Sequence, residues 1–310
     1  MVQRSTSFHH ASVLLPQVLD ALRPAAGGRY LDGTLGGGGH SLALLEASGP
    51  DGIVVGIDRD PIALKAAAER LQAFGDRARL LRGTFADMAQ LAADDAPFDG
   101  ILLDIGVSSP QLDDPSRGFS LQADGPVDMR MDPDLPETAS ELIDRLDLRE
   151  LTKLIREAGE EPRAHQIARA ILAEAPWGST LALANCIAKS SGYHQSRTHP
   201  ATRTFQALRI AVNDELGQLE RALDAAIGLL APGGRLAIIS FHSLEDRIVK
   251  NHFRKLAGVN MPKDAYGHPL VPPVLHIVTR KPLRGDLLDP DNPRARSALL
   301  RVAERIPRRT

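Results

Sequence analysis

The stretch Asp32-Gly-Thr-Leu-Gly-Gly-Gly-Gly-His40 constrains this 310-residue chain more than any other. It follows a short strand-like run, Arg29 to Asp32, and leads into a helix-like pattern, Ser41 to Glu46. Consecutive glycines at a strand-to-helix turn let the backbone take positive φ and remove the Cβ atoms that would hold a ligand away from the main chain. The helix N-terminus that follows presents free N–H groups to an anion. Such a turn suits a doubly wound α/β sheet, where it serves an adenosine-type cofactor at the carboxyl end of the first strand. The dinucleotide fingerprint is broken, however: started at Gly36, G-x-G-x-x-G needs a third glycine where Ser41 stands, which disfavours NAD.

The surrounding pattern agrees with an α/β sheet. Short apolar runs at Arg29 to Asp32, Ile53 to Asp58, Ala78 to Leu81 and Gly100 to Asp104 alternate with helical patterns such as Ile62 to Phe74. Three of these runs end in a carboxylate, so Asp32, Asp58 and Asp104 are expected to gather at the ligand-binding edge of the sheet. Beyond Asp104 the pattern breaks. Val107 to Pro136 is rich in Ser, Pro, Asp and Gly, and Glu137 to Asp214 reads as successive amphipathic helices without strand signals. The core resumes with a helix from Glu215 to Leu230, a Pro232-Gly-Gly turn, a strand from Arg235 to Phe241 and a helix near Leu244 to Leu256. Strands at Pro273 to Val278 and Ser297 to Val302, the last pair antiparallel, complete a seven-stranded, mostly parallel sheet; Pro262 to Pro272 and Lys281 to Pro293 are read as loops. The expected organisation is a discontinuous core, 1–112 and 212–310, carrying an all-helical insertion, 113–211.

Composition bounds the functional classes. Apolar residues at 43% and charged residues at 25% are ordinary for a globular chain. The single cysteine, Cys186, excludes an internal disulfide and a multi-cysteine zinc site. Met1 to His10 lacks a signal-peptide pattern and no run of apolar residues is long enough for a membrane span, so a cytoplasmic location without membrane contact is expected. The net charge of −2 conceals an asymmetry: Arg235 to Thr310 holds 15 lysines and arginines against 7 acids, a balance of +8 that favours a polyanion or merely solvates surface helices.

Asp58 closes its strand as an acceptor for both hydroxyls of an adenosine ribose, or as a helix cap ahead of Pro61. Asp104, within Leu102-Leu-Asp-Ile-Gly-Val-Ser-Ser-Pro-Gln111, brings a carboxylate and then a Ser-Pro loop to the same edge. A carboxylate there can orient an exocyclic amine and offset the positive charge growing on its nitrogen during group transfer. It can equally contact the amino-acid part of a cofactor, or cap a turn. Two rivals share these residues: an NAD-dependent oxidoreductase, and a non-enzymatic RNA adaptor that senses a nucleoside.

Seven motifs narrow the choice. They are the glycine turn itself, Gly106-Val-Ser-Ser-Pro-Gln-Leu-Asp113, Arg117-Gly-Phe-Ser120, Asp128-Met-Arg-Met-Asp132, His199-Pro-Ala-Thr-Arg-Thr-Phe-Gln206, Ser240-Phe-His-Ser-Leu-Glu-Asp-Arg247 and Asn292-Pro-Arg-Ala-Arg-Ser297. In these the chain resembles the bacterial 16S ribosomal RNA (cytidine-N4) methyltransferase family called MraW or RsmH. The resemblance implies a Rossmann-like S-adenosyl-L-methionine-dependent core with a helical substrate-recognition insertion, acting on a decoding-region cytidine of 16S ribosomal RNA in the small subunit or a late precursor. Matching positions imply cofactor contacts at Gly38, Gly39, His40, Asp58, Phe85, Asp104 and Gln111, with Asp104 also catalytic. An RNA substrate further needs phosphate neutralisation and stacking platforms. Arg117, Phe119, Arg130, Arg203, Phe205, His242, Arg294 and Arg296 are the candidates. Between Leu256 and Pro290 the chain departs from the family's longer loops, and no contact is carried over there. Cytosine-C5 methylation needs a thiolate nucleophile, and Cys186 lies far from every cofactor motif; direct nitrogen methylation without a covalent intermediate is left. The histidines, His9 and His10 among them, show no metal-ligand spacing, and no metal is expected. A homodimer is compatible with the sequence.

Overall fold

The computed structural model describes residues 12–192, 199–259, 261–262 and 270–307, so His9 and His10 lie outside it. The chain divides into two compact units, Met1–Gly106 with Gln218–Thr310, and Val107–Gly217. Each divide falls six residues from the boundary read in the sequence.

The first unit is a sheet with helices on both faces. Its elements up to the first divide are α1 (Leu15–Leu22), β1 (Arg29–Asp32), α2 (Gly39–Ala47), β2 (Ile53–Asp58), α3 (Pro61–Leu71), β3 (Ala78–Arg82), α4 (Met88–Leu91) and β4 (Phe98–Asp104). The second unit contributes α5 (Ser109–Asp113), α6 (Ala139–Arg145), α7 (Leu148–Ala158), α8 (Ala164–Glu174), α9 (Thr180–Ser191) and α10 (Thr202–Asn213). Helix α11 (Glu215–Leu229) leads back to β5 (Leu230–Ser240), α12 (Ser243–Leu256), β6 (Leu275–Ile277), β7 (Leu283–Arg284), α13 (Gly285–Leu288) and β8 (Leu299–Arg305). The strand order is β3-β2-β1-β4-β5-β8-β6, with β7 paired to β8. Strands β1 to β5 are mutually parallel, and β8 runs antiparallel to β5, β6 and β7. The order reverses between β1 and β4, and the crevice of a doubly wound sheet opens there, beyond the carboxyl ends.

Central parallel strands are covered on both faces and therefore read as unbroken apolar runs. Leu31, Val55, Ile101, Leu103 and Ile238 join one core cluster with Leu223, Phe253 and Met88. Their alternating neighbours Tyr30, Val54, Leu102, Ala237 and Ile239 join the other, with Leu44, Val18 and Leu71. Each such buried aliphatic side chain contributes roughly 1.5–3 kcal/mol. Two expectations for this unit need correction. The Pro232-Gly-Gly turn is a bulge inside β5, where pairing jumps from Phe98↔Leu230 to Gly100↔Arg235 and Gly233 takes φ 83°. The stretch Lys281 to Pro293, read as a loop, holds β7 and α13, so among the described residues the sheet has eight strands where the sequence suggested seven.

The helical unit has its own core of Leu142, Ile143, Leu151, Ile155, Ile167, Ile171, Leu183 and Ile187, among others. Two capping boxes start its helices: Thr138 with Glu141, and Asp147 with Glu150. Buried Asn213 accepts from the Met131 N–H at 2.8 Å and donates to the carbonyls of Met129 (2.8 Å) and Arg209 (2.9 Å). That bracing holds the segment in which Met129 adopts φ 62°.

Candidate functional site

At the switch point the glycine turn is tied by three hydrogen bonds to β2 and β4. The Gly33 N–H donates to the Leu102 carbonyl (2.9 Å), the Leu35 N–H to the Ile57 carbonyl (3.0 Å), and the Asp104 N–H to Thr34 Oγ1 (2.6 Å). A Cβ on Gly33 would meet Leu103 Cδ2 at 2.5 Å, so the buried Leu103 side chain would have to shift for any larger residue there. Gly36 and Gly38 take φ 50° and 75°, the left-handed region that favours glycine. Gly38 occupies the cap position of α2 without a side chain to satisfy the helix's first N–H groups, the kind of end that can accept an anion.

The three strand-end carboxylates do different work. Asp32 is 1% exposed. Its Oδ2 accepts from Ser41 Oγ at 2.7 Å and its Oδ1 from the Thr34 N–H at 3.2 Å, so it braces the turn instead of facing a ligand. Burial raises its carboxyl above the usual range against the opposing pull of His40 and Ser41. The same bond explains why serine occupies the position where a dinucleotide fold has its third glycine. Asp58 accepts from the Gly36 N–H at Oδ2 (2.8 Å) and from the Asp60 N–H at Oδ1 (2.8 Å). Burial pushes its carboxyl up to about 6, against those two N–H bonds. The cap of α3 is Asp60, which accepts from the Ile62 N–H (3.0 Å), so the cap role weighed for Asp58 falls to its neighbour. Each Asp58 oxygen keeps a lone pair for a hydroxyl donor.

Asp104 Oδ1 is buried without a hydrogen-bond partner, and so are both ring nitrogens of His40. His40 Nε2 lies 3.5 Å from Asp104 Oδ2, the reach of an ion pair and not of a good directional bond. Burial lowers the His40 imidazole, but Asp104 and Asp32 outweigh it and hold the ring above its ordinary value. An unsatisfied buried polar atom costs about 1–3 kcal/mol. Such atoms clustered at a switch point fit a ligand that brings its own donors and acceptors. Phe85 sits in the short 3₁₀ turn after β3, 8% exposed, its Cβ 3.3 Å from where a Cβ on Gly33 would be. Gly38, Gly39, His40, Asp58, Phe85 and Asp104 therefore share one edge of the first unit. They suit an adenosyl cofactor: a backbone cradle, a two-oxygen acceptor, and open polar atoms beside them.

The remaining candidates are placed differently. Gln111, in α5 of the helical unit, is 4% exposed and its Oε1 accepts from the Ser108 N–H at 2.9 Å. Arg117 donates to the carbonyls of Arg130 (3.1 Å) and Met131 (2.8 Å). Arg130 forms a two-pronged pair with Asp128 (2.8 Å twice) and reaches the Leu135 carbonyl (2.8 Å). Phe119 and Phe205 are core rings, 8% and 6% exposed. Arg203 is exposed and donates to the Glu160 carbonyl at 3.2 Å. In the first unit His242 caps α12, with Glu245 completing the box from a fully buried position. Arg294 and Arg296 lie in the 3₁₀ turn Pro293–Ser297, with Arg296 exposed. Sequence reasoning missed Thr34 and Ser41 as the braces of the turn. It also missed Glu245, although His-Ser-Leu-Glu has capping-box spacing; histidine is not among the usual cap residues. Among the described residues no cluster of His, Cys, Asp or Glu could hold a metal ion, and no helix is long and apolar enough to cross a membrane.

Comparison with known proteins adds the following. The profile of the MraW methylase family matches residues 7–306. A protein of Trichlorobacter lovleyi named "Ribosomal RNA small subunit methyltransferase H" is 50% identical over 315 residues, covering 96% of this chain and 99% of that one. One of the same name from Geobacter sulfurreducens is 50% identical over 318 residues, covering 97% and 100%. A crystal structure described as a putative rRNA-methylase from Clostridium thermocellum aligns over 95% of this chain and 98% of its own, at 14% identity and TM-score 0.45.

Proposed function

The chain belongs to the MraW methylase family, and on that premise we propose that it transfers a methyl group from S-adenosylmethionine to the N4 amine of a decoding-region cytidine in 16S ribosomal RNA, with Asp104 oriented toward that amine. Relatives at 50% identity over nearly their whole length carry the small-subunit methyltransferase name, which supports the substrate class. The observation that carries the role of Asp104 is its buried Oδ1 without a partner at the switch point, 70 residues in sequence from the Thr34 hydroxyl that holds its backbone.

When bound, S-adenosylmethionine supplies a methyl group activated on positively charged sulfur. The protein's part is binding and alignment. Asp58 accepts the ribose hydroxyls, Gly36 to Gly39 admit the ligand against the main chain, and Phe85 covers the adenine side. Asp104 Oδ1 accepts an N4–H, which turns the nitrogen lone pair out of conjugation with the ring and offsets the positive charge that grows on nitrogen. The single thiol, Cys186, sits among Ile187, Leu183 and other core residues of the helical unit, and its thiol is pushed up by burial, so it suits no nucleophilic route to C5.

We assign substrate recognition to the helical unit together with the exposed arginines Arg203 and Arg296, acting on the small subunit or a late precursor in the cytoplasm. Incubation with small subunits lacking the modification and isotopically labelled cofactor, followed by nucleoside analysis, is expected to yield label on cytidine N4. Label on C5, or none, overturns the proposal.

A further inference from the structure

Helix α12 begins at the edge that carries Asp104. The Ile105 N–H donates to the Ile239 carbonyl at 2.9 Å, and a Cβ on Gly106 would lie 3.3 Å from the Phe241 ring. Two residues beyond the end of β5 the helix starts, and its 14 residues run about 21 Å from there. Its inward face is Glu245, Val249 and Phe253. Its exposed positions are Ser243, Arg247, Lys250, Asn251, Arg254 and Lys255: four cations and two neutral residues.

The helix does contain acids, but both are withdrawn from that face. Glu245, 0% exposed, accepts from the N–H groups of Phe241 (2.8 Å) and His242 (3.3 Å). Asp246 is held by Arg301 of β8 through two bonds, 2.6 and 3.0 Å. Arg247, Lys250 and Arg254 follow i, i+3, i+7 spacing and so line one stripe. Among the described residues no acidic side chain pairs with Lys250 or Arg254. On the neighbouring α11, Asp224 lies 3.8 Å from His252 Nε2. A helix dipole accounts for cations in the last turn, Arg254 and Lys255. It does not account for Lys250 in the middle.

We propose that the exposed face of α12 is a track for the phosphate backbone of the ribosomal RNA that flanks the methylated nucleotide. The proposal rests on the reading of the chain as a ribosomal RNA methylase, and it adds a contact surface that the motif resemblance did not supply. A cationic stripe with both local acids tied inward matches a polyanion of regular charge spacing, and it leads away from the edge where Asp104 stands.

The test is equilibrium binding of protein-free 16S ribosomal RNA over a KCl series, by the full chain and by the double variant Lys250→Gln/Arg254→Gln. Each lost phosphate contact removes about 0.7–0.9 from the slope of log affinity against log salt, and this part vanishes at 1 M, so two contacts predict a loss of about 25- to 60-fold at 0.1 M. The slope should become shallower by about 1.4–1.8. The charge-preserving pair Lys250→Arg/Arg254→Lys should stay near wild type, and calorimetric titration with the cofactor should be unchanged in both variants, which separates the effect from misfolding. On small subunits the KM should rise while kcat holds. Wild-type affinity and slope in the double variant overturn the proposal. So does a variant that binds protein-free RNA normally but loses affinity for the particle, since α12 would then meet a ribosomal protein. Failure of the parent reading looks different: the wild-type chain itself would transfer no methyl to the particle.

Discussion

The carboxyl edge of the sheet and the helical unit treat the charged and amide side chains of their motifs in opposite ways. At the sheet edge Asp104 Oδ1 and both His40 nitrogens are buried with no hydrogen-bond partner, although several backbone bonds fix the residues around them. In the helical unit the charged and amide groups that sequence motifs point to are already engaged, Arg130 with Asp128, Arg117 with two carbonyls and Gln111 with the Ser108 N–H, and only the small hydroxyls of Ser108 and Thr204 are buried there without a hydrogen-bond partner among the described residues. A fold tolerates unsatisfied buried polar atoms where a ligand completes them, whereas fully paired groups hold the unit's own loops in place. A motif residue is thus functional in two senses, by touching the ligand or by shaping what touches it.

Three experiments press on that contrast. Asp104→Ala should reduce methyl transfer by about 10²–10³-fold while the thermal unfolding midpoint stays within a few degrees of wild type; a loss below tenfold would place Asp104 with the braces. Asn213→Ala removes at least three hydrogen bonds, two of them buried. It should cost about 2–4 kcal/mol in denaturant unfolding and leave cofactor affinity unchanged under folding conditions. A parallel fall in cofactor affinity would erase the distinction between the two regions. The smallest effect concerns Asp58. Its carboxyl, raised to about 6 in the free protein, is protonated below that pH, yet two ribose hydroxyls require it as an ionised acceptor. Binding then expels a proton, and affinity should fall about tenfold for each pH unit below 6. Calorimetric titrations from pH 5 to 8 read this directly, and Asp58→Asn should bind weakly with a flat profile.

Much of the sheet was legible because parallel strands covered on both faces appear as uninterrupted apolar runs: β1 and β2 have the bounds that the runs at Arg29 and Ile53 suggest. Strand β7 was not, since two residues carry no periodicity. The early start of β5 was hidden because Pro232-Gly-Gly is turn chemistry inside a bulge. At the site, Asp58 and Asp104 stood out as strand-terminal carboxylates. The partition of labour among Asp32, Thr34 and Ser41 depends on which hydroxyl meets which acid across a nine-residue gap, and no local pattern encodes that. Phe119 and Phe205 were weighed as stacking rings, but in a chain only 4% aromatic the helical core takes them first.

The division of the sheet around the helical unit also orders events during synthesis. Every residue of the helical core cluster lies between Val107 and Val212, so that cluster is complete in the nascent chain before β5 exists. The sheet, by contrast, must keep β4 waiting for β5, and β5 for β8, whose partner residues Leu299 to Glu304 are made some sixty residues later. Non-local pairing of this kind is slow, and the exposed edge of β4 is a hazard while it lasts. The interval in which an unfinished chain can misassociate is therefore set by translation of the helical unit between β4 and β5 and then of the segment between β5 and β8, and a pause placed in either would lengthen it.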